Sequence, residues 1–124
     1  MTKPLALVFY ERLLPGSQLV NRLSDLGYRV LAQTDAARLL DSARKEMPMV
    51  LVTDLVCRTA DINEVIRSIK AETSVSHIPI LGFADKQNAA LQQPAIDAGA
   101  SLVALDEGIT HQLPQLLDQV LELQ

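Results

Sequence analysis

Short apolar runs alternate along the chain with longer segments in which apolar residues recur at helical spacing. The apolar runs predict five β-strands, over residues 5–10, 28–33, 49–54, 78–83 and 101–105. The intervening segments predict helices over about 15–26, 35–46, 61–72 and 87–98, and a last helix that begins between 110 and 114. The run MVLVTD at 49–54 is uninterrupted, which indicates a strand buried on both faces.

Turn and cap residues mark the ends of the first two helices. Pro15 suits the first turn of the first helix, and Gly27 follows it at the position where a left-handed backbone is favoured. Thr34 is predicted to cap the second helix, which Pro48 closes.

Five successive strand–helix units predict an α/β protein with a parallel sheet covered by helices on both faces. We expect a three-layer, flavodoxin-like (βα)5 fold with a five-stranded sheet of order 2-1-3-4-5, formed by residues 1–124 as a single domain. In such sheets the working site lies beyond the carboxyl ends of the strands, where the strand order reverses. Tyr10, Glu11 and Asp54 are therefore predicted to converge. The loops after strands four and five add Ala84, Asp85, Asp106 and Glu107 to the same rim.

Composition narrows the class of protein. Eleven basic and fifteen acidic residues give a net charge of -4, with no tryptophan and no basic cluster, so nucleic acid is not an expected partner. No apolar run approaches the ~20 residues of a membrane span, and the N-terminal segment does not read as a signal peptide. We expect a cytoplasmic protein without membrane contact. Cys57, the single cysteine, cannot form an internal disulfide.

Four stretches resemble the receiver domain of bacterial response regulators: LGYRV at strand two, VLVTDL at strand three, SHIPIL ahead of strand four and AIDAGASLVAL up to strand five. The resemblance covers essentially the whole chain. It implies a site in which an acidic pair after strand one holds Mg²⁺ and the aspartate of strand three accepts a phosphoryl group. A Thr or Ser after strand four and a Lys after strand five bind that group in active members.

Carrying these positions over keeps only the phosphoacceptor, as Asp54. Tyr10 and Glu11 occupy the acidic pair, Ala84 the hydroxyl position and Asp106 the lysine position. A carboxylate at about 5 Å from a phosphoryl group opposes it by several kcal/mol. The resemblance therefore predicts a pocket lined with negative groups and without a cation, in which Asp54 is phosphorylated poorly or not at all and no residue is catalytic.

We interpret the chain as a stand-alone receiver-like signal-transduction domain that acts by protein–protein contact and requires no cofactor. The family's partner surface falls on residues 87–123, which could also join two copies as a homodimer. One alternative is a conventional phosphoacceptor response regulator, phosphorylated on Asp54 by a histidine kinase. Another is a small α/β domain that binds a ligand or a divalent cation such as Mg²⁺ through Glu11 and Asp54, with Asp106 as a third ligand.

Overall fold

Strands and helices alternate through residues 3–122, the part of the chain that the computed structural model describes. The strands are β1 (Leu5–Phe9), β2 (Arg29–Gln33), β3 (Val50–Asp54), β4 (Ile80–Ala84) and β5 (Leu102–Leu105). The helices are α1 (Leu13–Asp25), α2 (Leu39–Glu46), α3 (Ile62–Ala71), α4 (Gln92–Ala98) and α5 (Asp106–Glu122). Short 3-10 turns at Ala36–Arg38 and Lys86–Leu91 precede α2 and α4.

All neighbouring strands pair in parallel, in the order β2-β1-β3-β4-β5. This confirms the predicted α/β class and the flavodoxin-like strand order. Residues 1, 2, 123 and 124 of the predicted 1–124 domain, and therefore the last residue of the predicted 87–123 surface, lie outside the described residues. Among the described residues, no helix has the length and apolar character to cross a membrane.

Two apolar layers cover the sheet because alternate residues of each strand point to opposite faces. Leu7 and Phe9 of β1 pack towards α2, α3 and α4, whereas Ala6 and Val8 pack towards α1 and α5. The central strands β1, β3 and β4 are buried along their whole length, as the uninterrupted run of β3 predicts. The edge strands β2 and β5 are partly exposed.

The first helix begins earlier than the sequence indicates. It starts at Leu13, two residues before Pro15, so that Arg12 is the extended residue that precedes it. Gly27 has φ +95°, which confirms the predicted left-handed turn after this helix. The prediction that Thr34 caps the second helix is wrong, because the Asp35 side chain accepts from the Ala37 N–H at 3.0 Å instead.

The predicted fourth helix is divided in two. Its first half is a 3-10 turn, in which Asn88 departs from helical geometry, and only Gln92–Ala98 is α-helical. Asp85 explains the tight first half, because its Oδ1 accepts from both the backbone N–H (3.0 Å) and the side-chain amide (2.6 Å) of Asn88. These local bonds compete with α-helical ones.

The fifth helix starts directly at the end of β5. It begins at Asp106, four residues ahead of Thr110, and carries Pro114 in its interior. Two carboxylates in the first turn favour the earlier start, because the helix N-terminus attracts negative charge. Pro114 has no N–H for the carbonyl of Thr110, and Nε of Arg22 in α1 donates to that carbonyl at 3.2 Å. An interhelical bond thus replaces the one that proline removes.

Candidate functional site

Asp54 lies at the end of β3 with no exposed surface, and both of its carboxylate oxygens are occupied. Oδ1 accepts from Nη2 of Arg12 at 2.7 Å and from the Val56 N–H at 2.9 Å. Oδ2 accepts from Nε of Arg12 at 3.0 Å. The guanidinium therefore binds this carboxylate with two parallel donors, the strongest geometry available to such a pair.

The same guanidinium also binds the start of α5. Nη1 of Arg12 donates to Oδ2 of Asp106 at 2.7 Å, and Nη2 donates to Oδ1 at 3.3 Å. Oδ2 of Asp85, just after β4, is 3.6 Å from Nη1. The guanidinium carbon lies 5.9 Å from the centre of the Phe83 ring. Arg12 thus links the carboxyl ends of β3, β4 and β5.

Arg12 supplies a positive charge at this site. Burial acts to lower the pKa of Arg12, but hydrogen bonds and attraction from Asp54 and Asp106 outweigh it, so the pKa is raised above its usual value. The Arg12 side chain is 25% exposed. The prediction of a pocket without a cation is therefore wrong. The sequence leaves open where Asp106, at the lysine position, points; in the structure its carboxylate faces the pocket and binds Arg12.

The carboxylate of Glu11 binds the loop that follows β3. Its Oε1 accepts from the Arg58 N–H at 2.7 Å, and its Oε2 accepts from the Thr59 hydroxyl and, at 3.3 Å, from the Thr59 N–H. The Cys57 thiol adds a further donor at 3.3 Å. The Thr59 hydroxyl and the Arg58 N–H lower the pKa of Glu11 from 4.5 to about 2. Glu11 is an anionic anchor for this loop.

Tyr10 and Ala84 line the sheet without entering the carboxylate–guanidinium cluster. The Tyr10 ring lies over Gly16 so closely that a Cβ there would be 2.2 Å from the ring. Tyr10 joins the apolar layer of α1 and α5. Ala84 is buried in the opposite layer and offers no hydroxyl. Of the predicted convergent residues, the structure therefore brings together Asp54, Asp85 and Asp106, while Tyr10 and Glu11 contact other partners.

Arg12 is the residue of this cluster that the sequence analysis does not identify. A basic residue directly after positions 10 and 11 is a signal for it, but the predicted helix start near residue 15 leaves Arg12 in a loop. With α1 beginning at Leu13, Arg12 stands at the rim above the strand ends. Within residues 3–122, no group of three or more His, Cys, Asp and Glu side chains is arranged to hold a metal ion.

Comparison with known proteins supports the fold. No protein-family model and no curated protein sequence matches this chain. A putative response regulator from Chloroflexus aurantiacus superposes with a TM-score of 0.89 at 16% identity, covering 98% of this chain and 99% of that one. The chemotaxis response regulator CheY4 of Vibrio cholerae gives 0.84 at 19% identity, with 96% and 99% covered.

A third solved structure carries a metal. The receiver domain of the sensor histidine kinase PA1611 from Pseudomonas aeruginosa gives a TM-score of 0.87 at 17% identity, with 98% and 99% covered, and has a magnesium ion in its active-site cleft. The chain described here therefore has the fold of response regulator receiver domains, over nearly its entire length.

Proposed function

We propose that this chain is a receiver-like signalling domain that acts in the cytoplasm by contact with other proteins, without phosphorylation of Asp54 and without catalysis of its own. The observation that supports this most directly is the state of Asp54. It is fully buried, and both of its oxygens are bound by the guanidinium of Arg12.

A carboxylate that attacks phosphorus needs an accessible oxygen and a cation that neutralises the incoming phosphoryl oxygens. Here the bonds from Arg12 to Oδ1 and Oδ2 of Asp54 block both oxygens. Attack would require the guanidinium to leave, which would also leave Asp106 without its partner at 2.7 Å. The carboxylate of Asp106 then repels the phosphoryl dianion from the position where the family has lysine.

The residues present do not fit the magnesium site of the fold family. Tyr10 replaces one of the two acids, and Glu11 is committed to Arg58 and Thr59. The guanidinium of Arg12 already neutralises Asp54. Magnesium prefers several carboxylate and water oxygens in octahedral array, which this arrangement does not offer. The proposed function therefore includes no metal-dependent step and no required cofactor.

The proposed partner surface is made by α4, β5 and α5, within residues 87–122 of the predicted 87–123. β5 is an edge strand whose residues are partly exposed. Ile96 of α4 presents 45% of its surface to solvent. An edge strand with an exposed apolar neighbour suits a protein partner or a second copy of this chain. The net charge of -4 argues against nucleic acid on any face.

The test of phosphorylation is direct. The protein is incubated with Mg²⁺ and acetyl phosphate, or with beryllofluoride, and intact mass and amide chemical shifts are recorded beside Vibrio CheY4 as a comparison. We expect no adduct and no shift at Asp54. A stoichiometric adduct that is lost in Asp54→Asn would overturn the proposal in favour of a conventional phosphoacceptor served by a histidine kinase. Saturable Mn²⁺ broadening that is lost in Glu11→Gln would instead favour the cation-binding alternative.

The surface is tested through self-association. We expect Ile96→Glu to weaken self-association, measured as the concentration dependence of light scattering. The same variant should lower the yield of cross-links to a partner protein. Leu13→Glu is the matched control, because Leu13 is 74% exposed but lies on α1. Equal loss in both variants would remove the α4–β5–α5 surface from the proposal.

A further inference from the structure

Arg12 holds the first residue of α5. No residue separates Leu105, the last of β5, from Asp106, the first of α5. A contact to the Asp106 carboxylate therefore fixes the end of the helix itself, without an intervening loop to absorb movement. Two hydrogen bonds, at 2.7 and 3.3 Å, connect this carboxylate to the Arg12 guanidinium.

Arg12 also reaches the segment that leads into α4. Asp85 is the first residue after β4, and its Oδ1 organises the 3-10 turn through two bonds to Asn88. Its other oxygen is 3.6 Å from Nη1 of Arg12. The carboxylate that begins α5 and the one that caps the 3-10 turn ahead of α4 thus face one guanidinium.

The guanidinium is itself held by the neighbouring strand end. Its two bonds to the buried carboxylate of Asp54 anchor it to the end of β3. Arg12 precedes the first turn of α1, and its carbonyl accepts from the Gly16 N–H at 3.3 Å. The planar fork of the guanidinium binds Asp54 through two nitrogens and still reaches Asp106, a bidentate geometry that the single nitrogen of lysine cannot reproduce.

From this geometry we infer that Arg12, Asp54, Asp85 and Asp106 together form a latch, an inference that rests on the proposed function. The latch holds the α4–β5–α5 surface in one conformation through a resident positive charge, in place of any added group, and its release changes the starts of α4 and α5 together.

Hydrogen exchange of the whole chain, followed by mass spectrometry, tests the latch. In Arg12→Gln we expect exchange of the amides at 110–113 and at 92–98 to accelerate by about fivefold, because a partly buried ion pair no longer opposes local opening. Arg12→Lys should accelerate it as well, since a single ammonium nitrogen cannot keep the bidentate contact to Asp54 and the bonds to Asp106 together. Arg67→Gln is the control, because it removes a guanidinium from an exposed ion pair on α3.

Asp106→Asn separates the latch from a simple effect on the helix end. It is compared with Glu107→Gln, which removes a charge from the same first turn but has only an exposed contact to Lys86 at 3.4 Å. We expect faster exchange at 110–113 in Asp106→Asn and not in Glu107→Gln. If Arg12→Gln does not fold, Arg12→Lys and Asp106→Asn decide the question.

Acceleration confined to residues 12–17 and 54–58 in Arg12→Gln, with α4 and α5 unchanged, would overturn the latch. Equal acceleration in Asp106→Asn and Glu107→Gln would overturn it too. Failure of the proposed function has a different signature, namely an acetyl phosphate adduct on the wild-type Asp54. Hydrogen exchange of the Arg12 variants is measured without acetyl phosphate, so its result does not depend on whether that adduct forms.

Discussion

Replacement of Arg12 by methionine removes the guanidinium from the site and retains much of the apolar stem. The carboxylate of Asp54, which has no exposed surface, then keeps only the Val56 N–H as a donor. Removal of one partner from a buried ion pair costs about 3–5 kcal/mol. Arg12 is 25% exposed and Asp106 19%, so water replaces part of what is lost. We expect Arg12→Met to lower the free energy of unfolding by about 2–3 kcal/mol.

Asp54→Asn in the same background shows whether the cost is a charge effect. Asparagine keeps the acceptor for the Val56 N–H and removes the uncompensated negative charge. We therefore expect the double variant Arg12→Met/Asp54→Asn to be more stable than Arg12→Met alone, and to lie within about 1 kcal/mol of the wild type. The coupling free energy from this double-mutant cycle is the net interaction between Arg12 and Asp54.

Urea unfolding at neutral pH, followed by circular dichroism, gives the four free energies of the cycle. A typical domain unfolds with about 5–15 kcal/mol, so every variant should remain folded in water. Arg67→Met is the matched control, because its ion pair with Glu64 is exposed, and we expect a change within about 0.5 kcal/mol. A cost for Arg12→Met as small as this control, or additivity in the cycle, would refute the bidentate contact to Asp54.

Three further predictions follow from other parts of the structure. Glu11→Gln should lower stability by about 1 kcal/mol at pH 7, and the difference should vanish as pH falls from 4.5 through about 2, because the lowered pKa of Glu11 stabilises the fold only while it is ionised. Gly16→Ala should cost about 1–3 kcal/mol in urea unfolding, because its Cβ would lie 2.2 Å from the Tyr10 ring. Arg22→Met should cost about 1 kcal/mol in the same assay, because the carbonyl of Thr110 loses its donor.

Each of these has a control in the chain. Glu46→Gln, at an exposed site, should not reproduce the pH dependence, and a constant difference down to pH 2 would contradict the role of Glu11. Gly108→Ala meets only the end of the Gln112 side chain, at 3.2 Å, and should be neutral or stabilising, since alanine favours the helix. Equal effects of Gly108→Ala and Gly16→Ala would exclude the Tyr10 contact. Arg67→Met again tests whether loss of a surface arginine alone is harmful.

Much of the fold was predictable because it depends on periodicity, which a single sequence displays. The run at 49–54 corresponds to the buried strand β3, and the run at 28–33 corresponds to the edge strand β2. The ends of helices were less predictable, because local side-chain bonds decide them. Asp85 tightens the turn ahead of α4, and Arg22 allows Pro114 to lie inside α5, which begins ahead of the predicted start at 110–114.

The site was predictable in its positions and less so in its contacts. Asp54 and Asp106 lie where the strand order places them, at the carboxyl ends of β3 and β5. The prediction that no cation balances their charges is wrong. Arg12 belongs to a different segment, and the path of the β1–α1 connection in the fold brings its guanidinium to both carboxylates. Counting the charges only at the positions that the family resemblance names omits such a residue.

The charges at this site are balanced within one cluster. Tyr10, Glu11 and Arg12 follow β1, and Asp106 follows β5. Without Arg12, the carboxylate of Asp106 would lie near the buried Asp54 with no counter-charge, at a cost of several kcal/mol. With Arg12 in place, hydrogen bonds of 2.7 Å on both sides of the guanidinium close the cluster. Asp54 is thus the buried point to which Arg12 and, through it, the start of α5 are bound.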